Sequence, residues 1–178
     1  ADFGLMKGEE GSGSDSEALT RTGEIVGTPS FMAPEQAEGR LDAINERTDI
    51  YSLGSILYNI LTLRPPITGS SADAEVMERI KTGRITPPAQ RVQDPRDTTV
   101  LLHCPDDQVP EALSAVAMQA LAREPDRRYP DVHSLQRDVA AYTAGYAPVA
   151  EHAGFFRQMR LSLRRHATLA AAWSVIIL

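Results

Sequence analysis

Cysteine is nearly absent from this 178-residue chain, in which Cys104 is the single example. One cysteine cannot form an intramolecular disulfide, and the sequence shows no paired-cysteine zinc pattern. A reducing compartment is therefore the natural environment. His103 lies beside Cys104, but a metal site there would need two further ligands, so we read the two residues as an ordinary loop pair.

An excess of positive charge is missing as well. The formal net charge is −6 at pH 7, so the chain has no global basic footprint and nucleic acid is not an expected partner. Nothing at the start of the sequence resembles a secretory signal. With 42% hydrophobic residues, the chain has enough apolar side chains for a sizeable core, which predicts a folded domain.

Long hydrophobic runs are missing except at the end, where residues 167–178 are uncharged and mostly apolar. Twelve residues rise only about 18 Å as a helix, whereas a bilayer core needs about 20 residues. If the protein continues, we expect a single-pass membrane helix that begins near Ala167, and otherwise a helix buried in protein. The basic residues before it would mark its cytoplasmic flank: Arg157, Arg160, Arg164, Arg165 and His166.

Apolar residues recur at helical spacing, and strand alternation is not apparent after residue 31. The longest pattern predicts a helix that Thr48 and Asp49 cap and that ends before Pro65. Its expected buried stripe is Ile50, Leu53, Ile56, Leu57, Ile60 and Leu61.

Three further helices are predicted, separated by a long connection over residues 86–110. One follows residues 70–73 and stops at Gly83, one begins at Pro110, and one begins near Pro130 or Asp131 and ends at Gly145. Their expected inward residues are Val76, Met77 and Ile80; Leu113, Val116, Ala117, Ala120 and Leu121; and Val132, Leu135, Val139 and Tyr142.

Two motifs stand in order near the start of the chain. Asp2-Phe3-Gly4 precedes a polar loop, and the run from Gly27 to Glu35 reads Gly-Thr-Pro-Ser-Phe-Met-Ala-Pro-Glu. This arrangement resembles the activation segment of protein kinases, which opens with Asp-Phe-Gly and closes with Ala-Pro-Glu. The resemblance covers about residues 2–144 and is strongest to bacterial receptor-type serine/threonine kinases. It implies a mainly α fold, namely the helical C-terminal lobe of the α+β kinase fold.

The resemblance also implies roles for the motif residues. Asp2 would bind the Mg²⁺ of Mg-ATP, Phe3 would pack to set its position, and Gly4 would allow the backbone to turn. Thr28 would lie near the catalytic base, which implies specificity for serine and threonine hydroxyls of protein substrates. Phe31 stands where tyrosine is commoner.

The polar loop carries the expected modification sites. Thr20-Arg21-Thr22-Gly23 resembles the paired threonines that precede Gly-Thr-Pro in bacterial receptor-type kinases. We expect phosphorylation at Thr20 or Thr22 by a second kinase molecule, and the phosphate would order the loop by pairing with an arginine.

The same resemblance implies structural roles for three residues. Arg128 would pair with Glu35 through two parallel hydrogen bonds and pin the end of the activation segment. Asp49 would anchor the backbone of the catalytic loop, the alternative being an exposed carboxylate near the helix N-terminus.

The chain carries none of the elements that precede Asp-Phe-Gly in the family: the Gly-rich loop, the nucleotide-pairing lysine and the His-Arg-Asp loop. We therefore expect a truncated kinase lobe that is inactive by itself. A non-catalytic binding module and a membrane-associated scaffold are the alternatives. The expected division is an activation segment (1–35), a helical lobe (36–146), a basic juxtamembrane linker (147–166) and the start of a membrane helix (167–178).

Overall fold

The computed structural model describes residues 29–68, 74–92 and 100–152, and all regular structure in these ranges is helical. This confirms the predicted mainly α fold class. The α-helices are α1 (Pro34–Ala37), α2 (Glu46–Thr62), α3 (Ala74–Thr82), α4 (Pro88–Arg91), α5 (Glu111–Ala120) and α6 (Val132–Thr143). Short 3-10 turns lie at Pro29–Phe31, Leu41–Ala43, Pro105–Asp107, Pro125–Arg127 and Val149–Glu151.

The N-terminus of α2 lies three residues earlier than its sequence pattern indicated. Asn45 is the N-cap, and its side chain accepts a hydrogen bond from the Arg47 amide at 2.9 Å. Thr48 is the third helical residue, and its hydroxyl accepts the Asn45 amide at 3.2 Å. The prediction that Thr48 and Asp49 cap the helix was therefore wrong, because Asn45 and Thr48 cap it reciprocally.

The buried face of α2 differs from the predicted stripe along the whole helix. Tyr51 and Tyr58 are buried although the stripe omits them, whereas Ile60 is 55% exposed. Gly54 lets α5 approach closely, because a Cβ atom there would lie 2.6 Å from the Ala120 Cβ. Helices α2 and α5 thus form the central packed pair, α4 contacts both of them, and α6 packs on α5.

Helix α6 completes the core on one side of α2. Asp131 caps it by accepting the Ser134 amide at 2.7 Å. Val132, predicted to be buried, is 37% exposed because it opens the first turn. One apolar cluster joins the helices here and includes a residue beyond α6: Ile50, Val116, Ala120, Tyr129, Leu135 and Ala150.

The connection after α3 contributes to the core as well. Helix α3 ends at Gly83, which has a positive φ of 64°, as the sequence predicted. Leu101 and Cys104 are buried against Leu61, so these two residues anchor the predicted connection of residues 86–110 to α2. The proposed cap of α3 in residues 70–73 lies outside the described residues.

Among the residues that the structure describes, no helix is both long enough and apolar enough to cross a membrane. The segment 167–178, for which a membrane helix is predicted, is not among them.

Candidate functional site

A buried ion pair joins α1 to the loop before α6. The Nη1 and Nη2 atoms of Arg128 donate to Oε1 and Oε2 of Glu35, each at 2.7 Å. Both side chains are fully excluded from solvent. The structure therefore brings together two residues that are 93 positions apart in the sequence.

Backbone carbonyls accept hydrogen bonds from the remaining N–H groups of the Arg128 guanidinium. Nε donates to the Ala122 carbonyl at 2.8 Å, Nη1 to that of Arg47 at 2.8 Å, and Nη2 to that of Arg123 at 3.0 Å. With the carboxylate, these acceptors account for all five N–H donors of an arginine. The guanidinium also lies 5.0 Å from the centroid of the Tyr51 ring. This complete set of partners offsets the desolvation of a buried charge.

Glu35 is held in its ionised form. Burial raises the pKa of this carboxyl, but hydrogen bonds and charge from Arg128, its own backbone amide and the Thr48 hydroxyl lower it, and the net direction is downward. The Thr48 hydroxyl donates to Glu35 Oε1 at 2.8 Å. Because Thr48 also accepts the Asn45 amide, the start of α2 is tied directly to the ion pair.

Surface charges surround the buried pair. Glu38 accepts hydrogen bonds from Arg40 at 2.6 Å and from Arg123 at 3.3 Å. Arg123 also donates to the Lys81 carbonyl at 2.6 Å, which links α3 to the residues after α1. These exposed ion pairs contribute little stability, about 0–1 kcal/mol each, so the buried pair dominates the site.

The ion pair makes stability depend on pH. The pKa of Glu35 is lower in the folded state than its usual value of 4.5. Its contribution is therefore fully present above that value and is lost as the pH falls through the folded pKa. Urea unfolding between pH 7 and pH 3 should show this loss, and a Glu35→Gln variant should show a shallower decline. Equal declines in both proteins would contradict the assignment.

The family comparison agrees with the motifs. The protein kinase domain family matches residues 1–139. This chain belongs to the protein kinase family. The matched region includes both members of the buried ion pair, and it confirms the resemblance predicted from Asp2-Phe3-Gly4 and the Ala-Pro-Glu segment.

Bacterial serine/threonine kinases are among its relatives. The chain is 33% identical over 149 residues to serine/threonine-protein kinase PknB of Mycolicibacterium smegmatis, which covers 84% of this chain and 21% of that protein. It is 33% identical over 144 residues to the probable serine/threonine-protein kinase SCO3848 of Streptomyces coelicolor, which covers 81% and 18%. The chain thus spans about a fifth of the length of these relatives.

A solved structure is also similar to this kinase lobe. It is described as the crystal structure of Rad53 kinase domain and SCD2 in complex with AMPPNP. The TM-score is 0.44 at 21% identity, over 76% of this chain and 47% of that one.

Of the other kinase residues predicted from the sequence, the described ranges include Asp49 alone. Asp49 lies exposed in the first turn of α2, and the catalytic loop that it would anchor is not part of this chain. The remaining predicted residues lie outside the described ranges: Asp2, Phe3, Gly4, Thr20, Thr22 and Thr28. In the part of the kinase lobe that the structure describes, no group of acidic, histidine or cysteine side chains could hold a metal ion.

The contacts of three residues with the ion pair were not predicted from the sequence. Thr48 binds the Glu35 carboxylate, Tyr51 lies against the Arg128 guanidinium, and the Arg47 carbonyl accepts from it. Thr48 stands three positions after Asn45, which is the spacing of a reciprocal helix cap. That spacing was the available signal for the correct helix start.

Proposed function

We propose that this chain is part of a protein serine/threonine kinase that transfers the γ-phosphate of ATP to serine or threonine hydroxyls of proteins. The observation that carries the proposal is the buried Glu35–Arg128 pair. It fastens the Ala-Pro-Glu end of a segment whose other end is Asp2-Phe3-Gly4. The names of the bacterial relatives support the same specificity.

The proposed chemistry depends on positioning and charge neutralisation. A carboxylate oxygen such as that of Asp2 is the donor type that Mg²⁺ takes, together with phosphate oxygens and water. Mg²⁺ bound with ATP would neutralise charge that develops on the transferred phosphoryl group. Phe3 would hold Asp2 in place, Gly4 would let the backbone turn, and the Thr28 hydroxyl would hydrogen-bond near the catalytic base. Asp49 would hold the backbone of the catalytic loop.

The complete protein should act on itself. We expect a second kinase molecule to phosphorylate Thr20 or Thr22, because a phosphate there would order the polar loop through an arginine. Phosphopeptide mapping after incubation with ATP should find the modification at these threonines. A variant that replaces Ser12, Ser14 and Ser16 with alanine is the matched control and should retain it. An active protein in which Thr20 and Thr22 stay unmodified would contradict the proposal.

A phosphate-transfer assay on the complete protein tests the proposed reaction. Incubated with radiolabelled ATP, Mg²⁺ and protein substrate, it should place label on serine and threonine. We expect this chain alone to show no transfer, since it contains no His-Arg-Asp loop. A complete protein that binds partners but transfers no phosphate would instead be a non-catalytic binding module.

The proposed location follows from the basic and apolar residues at the end of the chain. The kinase portion would face the cytoplasm, attached to the membrane by a single-pass helix that begins near Ala167. Resistance of the complete protein to carbonate extraction from membranes would support this location. Its release into the soluble fraction would contradict it.

A further inference from the structure

The adjacent residues Arg128 and Tyr129 connect two parts of the lobe, because their side chains point in opposite directions. Arg128 has an extended backbone, with φ −73° and ψ 177°, and successive side chains of an extended segment point to opposite sides. The Arg128 side chain pairs with Glu35. The Tyr129 hydroxyl donates to Oδ2 of Asp138 on α6, at 2.8 Å.

Asp138 in turn holds the segment that follows α6, here named the C-terminal strap and defined as residues 148–151. The amide of Val149 donates to Oδ1 at 2.8 Å and that of Ala150 to Oδ2 at 2.9 Å. Asp138 is only 4% exposed. Its partners are thus a phenol and two backbone amides, a set that satisfies a buried carboxylate without a cationic side chain.

Packing joins the same parts of the molecule. Ala150 of the strap lies in one apolar cluster with Tyr129 and with Ile50 of α2. Ile50 is two residues beyond Thr48, whose hydroxyl binds Glu35. The strap therefore reaches the end of the activation segment through two connected routes, the Tyr129–Arg128 link and the first turns of α2.

We propose that Tyr129 and Asp138 are positioning residues that couple the C-terminal strap to the Glu35 end of the activation segment. The two side chains of the link share one peptide unit, so a change in the Tyr129 hydrogen bond alters the backbone from which Arg128 reaches Glu35. The strap leads directly into residues 153–178. A force or partner acting on that following segment reaches the activation segment through Asp138, Tyr129 and Arg128. Its effect on phosphate transfer rests on the proposed kinase function.

Hydrogen–deuterium exchange on the complete protein tests the coupling. Tyr129→Phe keeps the ring and removes the hydroxyl donor. Amides of the strap and of residues 33–40 should both exchange about five- to tenfold faster, the size expected for one lost buried hydrogen bond. Ser114→Ala is the control, because it removes a buried hydroxyl that accepts the Ala89 amide on another side of the lobe. This control variant should leave the exchange rates of the amides in residues 33–40 unchanged. Faster exchange in the strap alone would overturn the coupling.

Steady-state kinetics distinguish a positioning role from a merely structural one, because a structural defect would not change one KM value selectively. We expect Tyr129→Phe to raise the KM for protein substrate about threefold while the KM for ATP stays unchanged, because Thr28 of the activation segment is proposed to lie near the catalytic base, where the protein substrate reacts. Asp138→Asn should act in the same direction. Equal changes in both KM values would count against a positioning role. The exchange experiment needs no catalysis, so absence of transfer by the wild-type protein would defeat the proposed function while leaving the coupling testable.

Discussion

Replacing Asp2 with asparagine in the complete protein should lower phosphate transfer by about 10²–10³-fold, the usual loss when one electrostatic stabilising group is removed from a reaction centre. Asparagine keeps the shape of the side chain but not the negative charge that is proposed to bind Mg²⁺. The radiolabelled transfer assay measures the loss directly. Excess Mg²⁺ should restore part of the rate, because the proposed role of Asp2 is that of a metal ligand.

The matched control for this prediction is Asp15→Asn. Asp15 lies in the polar loop between the two motifs, so its replacement removes the same charge from a position without a proposed metal role. We expect transfer within about twofold of the wild-type rate, since no metal-binding or catalytic role is proposed for Asp15. Equal activity of the Asp2→Asn protein and the wild type would defeat the assignment of Asp2.

Replacing Arg128 with methionine should lower the free energy of unfolding by about 3–5 kcal/mol, because it leaves the Glu35 carboxylate buried without its cation. The carbonyls of Arg47, Ala122 and Arg123 lose donors at the same time. Urea unfolding of the complete protein, followed through the transition of the kinase lobe, measures the change. The loss should shrink at low pH, where Glu35 becomes neutral.

Two variants complete that experiment. Arg127→Met is the control, since the Arg127 side chain is 79% exposed and lies 4.0 Å from Glu124. Its effect should stay within about 0.5 kcal/mol. A Glu35→Leu/Arg128→Met double variant should be more stable than Arg128→Met alone, because it removes the unpaired charge. An Arg128→Met protein as stable as the Arg127→Met control would contradict the account of the ion pair.

The Glu35–Arg128 contact illustrates what a family resemblance adds to a sequence. Nothing in composition or periodicity joins residues 93 positions apart, and Arg127 and Arg128 stand side by side as equally charged candidates. The kinase motif selected Arg128, and the structure places that residue against Glu35. Local patterns predicted the four longer helices α2, α3, α5 and α6 but not the short helices α1 and α4, because apolar spacing and glycine stops are readable only over several turns.

The sequence patterns gave wrong predictions where burial depends on neighbouring elements or where two residues can each cap a helix. Ile60 continues the apolar stripe of α2, yet it is exposed because the packing elements do not cover that part of the helix. Asn45 and Thr48 are both good cap residues, and we placed the cap at Thr48 although their spacing fits a reciprocal cap that starts at Asn45. Asp138 follows Leu135 by three positions, so it shares the buried face of α6. A carboxylate on an apolar face was a signal that a buried hydrogen-bond network was present.

In the proposed function, Glu35 and Arg128 act as one unit that holds the activation segment in place for phosphate transfer. The most direct measurement is the transfer rate of folded complete protein carrying Glu35→Gln, Arg128→Met or both changes. We expect each single change to slow transfer and the double variant to be no slower than the worse single variant. Losses that multiply in the double variant, or single variants with wild-type rates, would contradict it.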